Sequence, residues 1–181
     1  MESDRGEIIK ALSEVGEILY QRRKIGDIAV FGGSVMALQF DVAFITHDID
    51  ALIESGHGDV MDAVQEVGRR HGWTSTWLNE GVSAYLSADA SDHLDSFATF
   101  PSPERVGLRV YVAKPEYLLA LKLRALRIGS RDIDDAIILA RHLGLTTLDA
   151  LSDVVRQNFP SEPLDQRKRM ILSELAERLK P

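Results

Sequence analysis

The reading of the fold turns on residues 28–53, IAVFGGSVMALQFDVAFITHDIDALI. The stretch opens with a short apolar run, Ile28-Ala29-Val30-Phe31, long enough for one buried strand. Gly32-Gly33-Ser34 interrupts it, and Val35-Met36-Ala37-Leu38 reads as the first turns of a helix. Further on, Asp48-Ile49-Asp50 leads into a second apolar run, Ala51-Leu52-Ile53. On a strand, Asp48 and Asp50 project from the same face. Neighbouring carboxylates repel, and each disfavours the other's charge unless a cation lies between them. Mg²⁺ or Mn²⁺, hard cations that take oxygen ligands, would relieve that cost. The glycines let the backbone approach a ligand closely, and the helix start behind them offers free N–H groups and a positive dipole end to an anion. A phosphate cradle beside a two-carboxylate metal site is what a nucleotide-handling enzyme needs.

Gly32-Gly33-Ser34 followed by Asp48-Ile49-Asp50 resembles the signature of the DNA polymerase β-like nucleotidyltransferase superfamily. The resemblance extends to residues 115–139, which look like the abortive-infection AbiEii-type toxin nucleotidyltransferases and their relatives. It implies an α/β (α+β) nucleotidyltransferase fold, with a small mixed sheet, flanking helices and a C-terminal helical region. It also implies that Asp48 and Asp50 hold the metal and that Gly32, Gly33 and Ser34 receive the phosphates of a nucleoside triphosphate. The activity implied is metal-dependent transfer of a nucleoside monophosphate to an acceptor hydroxyl on RNA, a protein or a small molecule. A toxin–antitoxin setting with an antitoxin partner goes with it. The alternative is a catalytically silent binding or antitoxin-like module on the same fold. Relatives often carry an Arg near position 44, where this chain has Phe44 ahead of Thr46-His47.

Composition bounds the rest. A chain of 181 residues with 45% apolar and 27% charged residues is ordinary for a globular protein with one sizeable core. Without cysteine it has neither disulfides nor thiolate metal sites. No apolar run reaches membrane-spanning length and the first ten residues are charged, so a cytoplasmic protein without membrane contact is expected. A net charge of −7 argues against a broadly basic nucleic-acid surface.

Residues 2–24 read as an amphipathic helix carrying Ile8, Leu12, Val15 and Leu19, with Ser3 or Asp4 as cap. Asp41 marks the end of the helix behind the glycines. Val60, Val64 and Val67 mark a further helix ending at Gly72, and His57 before it is more simply a solvated loop residue than a ligand. His71 suits the last turn of that helix. Trp73 to Leu78 is read as a strand, Asn79-Glu80-Gly81-Val82 as the start of a short helix, and Pro101 and Pro103 as a loop. Leu108 to Val112 alternates as a strand but carries no acid. The third carboxylate that many superfamily members place there must come from elsewhere, Asp95 or Asp132, or catalysis has decayed.

Pro115 starts a helix in which Lys122 falls among Leu118, Leu119, Ala125 and Leu126, with Arg124, Arg127 and Arg131 opposite. An ammonium in an apolar arc either snorkels or has a fixed partner. The reading adopted is that Lys122 reaches a carboxylate of Asp48, Asp50 or Asp132, or a bound phosphate, and Lys122→Met is then expected to cost activity but little stability. Gly129-Ser130 breaks this helix, and Ser130 caps one carrying Asp132, Asp134 and Asp135. The resemblance to a Lys…Asp-x-x-Asp segment singles out Asp132, ahead of Asp135, to orient or activate the acceptor. Two more helices follow, one capped by Thr146 or Thr147, one carrying the basic cluster Gln166-Arg167-Lys168-Arg169, read as a solvated face. The division expected is a nucleotidyltransferase core over residues 1–114, with a helical region over residues 115–181 packed on it.

Overall fold

The computed structural model describes residues 4–40, 48–126 and 132–180. The readings that involve Ser3, Asp41, Phe44, Thr46-His47, Arg127, Gly129-Ser130 and Arg131 lie outside those residues. The chain divides into two compact units, Met1–Ala84 with Ser91–Ala113, and Tyr85–Ala90 with Lys114–Pro181.

The first unit is built on helix α1 (Arg5–Gln21), strand β1 (Gly26–Val30), helix α2 (Gly32–Gln39), strand β2 (Ile49–Ser55) and helix α3 (His57–His71). Strands β3 (Leu78–Asn79), β4 (Leu94–Ser102) and β5 (Arg105–Ala113) complete it. The strands form one mixed sheet in the order β3-β2-β1-β5-β4. In it β1 runs antiparallel to β2 and parallel to β5, β2 is parallel to β3, and β4 is antiparallel to β5. This is the mixed α/β architecture that the glycine turn and the acidic strand imply.

Asp4 caps α1 in a capping box, its side chain accepting from Glu7 N–H while Glu7 reaches back to Asp4 N–H. Ile8, Leu12, Val15 and Leu19 are fully buried, each worth about 2 kcal/mol on removal from water. They meet the sheet face that carries Ile28, Val30, Ala51, Leu108, Val110 and Val112, all buried. Where α1 crosses the β4–β5 hairpin, glycines let the backbones touch: a Cβ on Gly107 would lie 1.9 Å from Gly16 O, and one on Gly16 2.7 Å from Phe100 C. α1 ends in a six-to-one closing bond from Lys24 N–H to Leu19 O, with Arg23 at φ +56 where such a turn favours glycine.

Three readings of this unit need correction. Of Trp73 to Leu78, only Leu78 lies in a strand; Trp77 is instead a core residue, fully buried, donating from Nε1 to Val64 O at 2.9 Å. A short 3₁₀ turn begins at Gly81, not at Asn79. Nor is Pro101 in a loop: β4 runs through it to Ser102, with a register irregularity at that point. A proline is tolerated because β4 is the edge strand and its missing N–H costs no ladder bond on the open side.

The second unit contains helices α4 (Pro115–Ala125), α5 (Asp132–His142), α6 (Leu148–Asn158) and α7 (Gln166–Leu179). Pro115 opens α4, Thr147 accepts from Ala150 N–H to cap α6, and Asp165 accepts from Lys168 N–H to cap α7. Tyr117 is fully buried, its hydroxyl bonded to Ser87 and its ring stacked 5.9 Å from Phe159. Arg124 lies over the Phe159 ring, 4.5 Å from its centroid, and pairs with Glu162 at 2.5 Å. The basic cluster at the start of α7 is partly tied down, Lys168 to Glu162 and Arg169 to Leu164 O.

Candidate nucleotide site

In the first unit, the end of β1, the start of α2 and the start of β2 meet. Phe31 N–H donates to Asp50 O at 2.9 Å, closing the antiparallel pair just before the chain turns into α2. Gly32 makes that turn at φ +64, a conformation L side chains rarely adopt. There is no room for a Cβ either: one built on Gly32 would sit 2.8 Å from Asp50 Oδ2. The first glycine of the motif and the second acid are thus in direct contact. Ser34 is 1% exposed, and its hydroxyl donates to Asp48 O at 3.1 Å. Its side chain therefore fastens the acidic segment to the glycine turn, a role sequence reasoning gave to no residue.

The acids sit as the alternation requires. Asp48 is exposed, Ile49 buried, Asp50 half-buried and Ala51 buried. Asp48 Oδ2 accepts from Asn79 Nδ2 at 3.1 Å, a partner supplied by β3. Among the described residues no group of three or more His, Asp or Glu side chains is arranged to hold a metal. Two carboxylates do suit Mg²⁺ or Mn²⁺ in another way. Mg²⁺ is commonly held by one or two carboxylates together with substrate phosphates and water, not by an all-protein cage.

Asp95 does not join these acids. The ladder carries it from Val112 to Val30 and on to Ala51, and residues paired across strands share a face. Ala51 and Asp50 point to opposite faces, so Asp95 is on the wrong side of the sheet. Three strand spacings, about 14 Å, also separate β4 from β2. His57 opens α3 beyond the far end of β2, whereas Asp50 stands at the start of that strand. It is not merely solvated: its Nε2 is 2.7 Å from Glu80 Oε2, while Glu80 Oε1 accepts from Ile53 N–H. His71, at the last turn of α3, pairs with Glu14 at 2.9 Å and stacks on Trp73.

The second unit holds its own charged cluster. Lys122 Nζ lies 2.8 Å from Asp132 Oδ1 and 2.8 Å from Asp135 Oδ2. The Lys122 side chain is 13% exposed and that of Asp135 5%, against 31% for Asp132. Asp135 Oδ2 is fully buried and accepts no hydrogen bond of good geometry, so the ammonium holds it as an ion pair approached off-line. Burial on its own would lower the Lys122 pKa, but the contacts and charges of Asp132 and Asp135 together outweigh it and hold the group above the usual lysine value. The half-buried cation thus has fixed partners, while the apolar arc expected around it is only partly core: Leu118 and Leu119 are buried, Leu126 is half-buried and Ala125 is exposed. Sequence reasoning put Asp132 ahead of Asp135, yet Asp135 is the more deeply buried of the two.

No helix among the described residues is long and apolar enough to cross a membrane. No curated protein and no solved structure matches the chain. The family described as "nucleotidyltransferase of unknown function (DUF6036)" does, over residues 7–172. A match over that span, to a chain whose glycine turn meets its acidic strand, means that this protein belongs to that nucleotidyltransferase family.

Proposed function

We propose that the chain moves a nucleoside monophosphate from a nucleoside triphosphate to an acceptor hydroxyl, at a site built on Gly32, Gly33, Ser34, Asp48 and Asp50. The observation that carries this reading is the contact between Gly32 and the Asp50 carboxylate, which sets a helix N-terminus beside an acidic strand. The N–H groups of Gly33 and Ser34, in the first turn of α2, are suited to receive phosphate oxygens, with the dipole end adding to the attraction. Asp48 and Asp50 would hold Mg²⁺ or Mn²⁺. When bound, the metal would neutralise charge on the triphosphate and on the leaving pyrophosphate. Ser34 keeps the acids in place through the Asp48 carbonyl, and Gly32 keeps the space between turn and acid free of a side chain. Residues 115–139 resemble a segment in which toxin-type relatives carry a functional Lys and Asp, which keeps Lys122 and Asp132, paired with each other in the second unit, as further candidate residues. An acceptor on RNA, a protein or a small molecule, and an antitoxin partner, belong to the same proposal.

Calorimetric titration with each of MgATP, MgCTP, MgGTP and MgUTP tests the site. Wild type should bind at least one, and Asp48→Asn and Asp50→Asn should each lose it. Binding by both variants at wild-type strength would refute the assignment. A second reading, a nucleotide-binding module without transfer, is favoured by the position of Asp95 on the opposite sheet face and by a β5 strand without an acid. Transfer of label from a radioactive triphosphate to an acceptor separates the two.

A further inference from the structure

Asp48 has a polar neighbour that comes from another strand. Asn79 Nδ2 donates to Asp48 Oδ2 at 3.1 Å, and the orientation of its carboxamide is set from the other side, where Gly81 N–H donates to Asn79 Oδ1 at 2.8 Å. The parallel pairing of β2 with β3 also places Asn79 at the register position of Asp50. A single residue of β3 therefore bonds to one acid and stands beside the other.

We propose that Asn79 is a positioning residue of the Asp48/Asp50 site, orienting the Asp48 carboxylate and holding the site at two negative charges. The proposal rests on the nucleotide-site reading above and deepens it. With a neutral amide at this position, the protein supplies too little charge to bind a free divalent cation tightly. The missing negative charge comes with the triphosphate, so the site selects the metal–nucleotide complex over the bare metal. Partners that orient a ligating carboxylate typically account for 10- to 100-fold in metal affinity.

Asn79→Asp separates this role from a structural one. Aspartate still accepts the Gly81 N–H, so the 79–81 turn is kept, but it faces Asp48 with an oxygen instead of a donor. Mn²⁺ alone, and Mn²⁺ with each ribonucleoside triphosphate, are titrated into wild type, Asn79→Asp, Asn79→Ala and Asp48→Asn, with circular dichroism as the fold control. Asn79→Asp should bind Mn²⁺ alone at least about 10-fold more tightly than wild type and gain more thermal stability from it, because the cation relieves the new repulsion. Asn79→Ala should bind the Mn²⁺–triphosphate complex about 10-fold or more weakly. If the two variants disagree, or Asn79→Ala fails to fold, the Asn79→Asp titration decides. If the Asn79 variants match wild type while Asp48→Asn loses binding, the Asn79 proposal falls and the site reading stands. If wild type binds no Mn²⁺–triphosphate and Asn79→Asp no Mn²⁺, both fall.

Discussion

Replacing Lys122 by methionine keeps the volume of the stem and deletes the charge, leaving Asp132 and Asp135 without their shared cation. Breaking a buried ion pair by removing one partner costs about 3–5 kcal/mol, most of it from the charge left behind. Asp132, at 31% exposure, can be rehydrated where it stands; Asp135, at 5%, cannot. One stranded carboxylate rather than two puts the expected loss at the lower end, about 3 kcal/mol. This replaces the expectation of little change in stability that holds when Asp135 is not counted among the partners. With a urea dependence of about 2 kcal/mol/M, the unfolding midpoint should fall by roughly 1.5 M. Far-UV circular dichroism during urea unfolding reads it directly. The double variant Lys122→Met/Asp135→Asn carries no stranded buried charge and should recover at least half of the loss, which makes the coupling visible as non-additivity. A Lys122→Met midpoint within roughly 0.3 M of wild type would mean that the cluster is hydrated, and the reasoning from burial would be wrong.

The same cluster predicts an alkaline limb. Because the Lys122 pKa is raised in the folded state, its pairing contributes in full below the unfolded value of about 10.4 and is lost as the pH climbs through the folded one. The stability gap between wild type and Lys122→Met should therefore hold from pH 7 to 9 and narrow above about 10.5, measured by urea unfolding at each pH. Gly32→Ala should lose about 1–2 kcal/mol by forcing a Cβ into the left-handed region, and should weaken nucleotide binding by displacing Asp50. A variant that melts and binds like wild type would show that the turn relaxes freely. Arg23→Gly should raise stability by about 0.5–1 kcal/mol, since glycine suits the positive φ that ends α1; a drop in melting temperature would contradict this.

What was legible in the sequence was local. Gly32-Gly33-Ser34 and Asp48-Ile49-Asp50 announce turn, helix start and acidic strand through the chemistry of a few adjacent residues, and the capping residues Asp4 and Thr147 do the same for their helices. Lys122 was legible as a half-buried cation because it breaks an apolar arc. Of its partners Asp132 was among those expected, and Asp135 was not, since its contact depends on how α4 and α5 pack. Asp135 stands in a first turn where the helix dipole alone accounts for an acid, so nothing in the sequence marks it as buried. Asn79 was invisible for a stronger reason: it meets Asp48 only through the β2–β3 pairing, across 31 positions of chain. Pro101 misled because proline reads as a break, whereas an edge strand can hold it.

The glycine crossing of α1 over the β4–β5 hairpin makes the helix a fixed rail. With Gly16 and Gly107 already at backbone contact, α1 can neither sink toward the sheet nor slide along it when a side chain beneath it is shortened. Elsewhere a core recovers part of such a loss by collapsing onto the vacated space, and the recovered fraction is what spreads truncation costs over about 2–5 kcal/mol. Under a rail that recovery is blocked. Truncations at Ile8, Leu12, Val15 and Leu19 belong at the costly end of that range, and the voids they leave should persist as permanent cavities able to take up xenon or a small apolar guest.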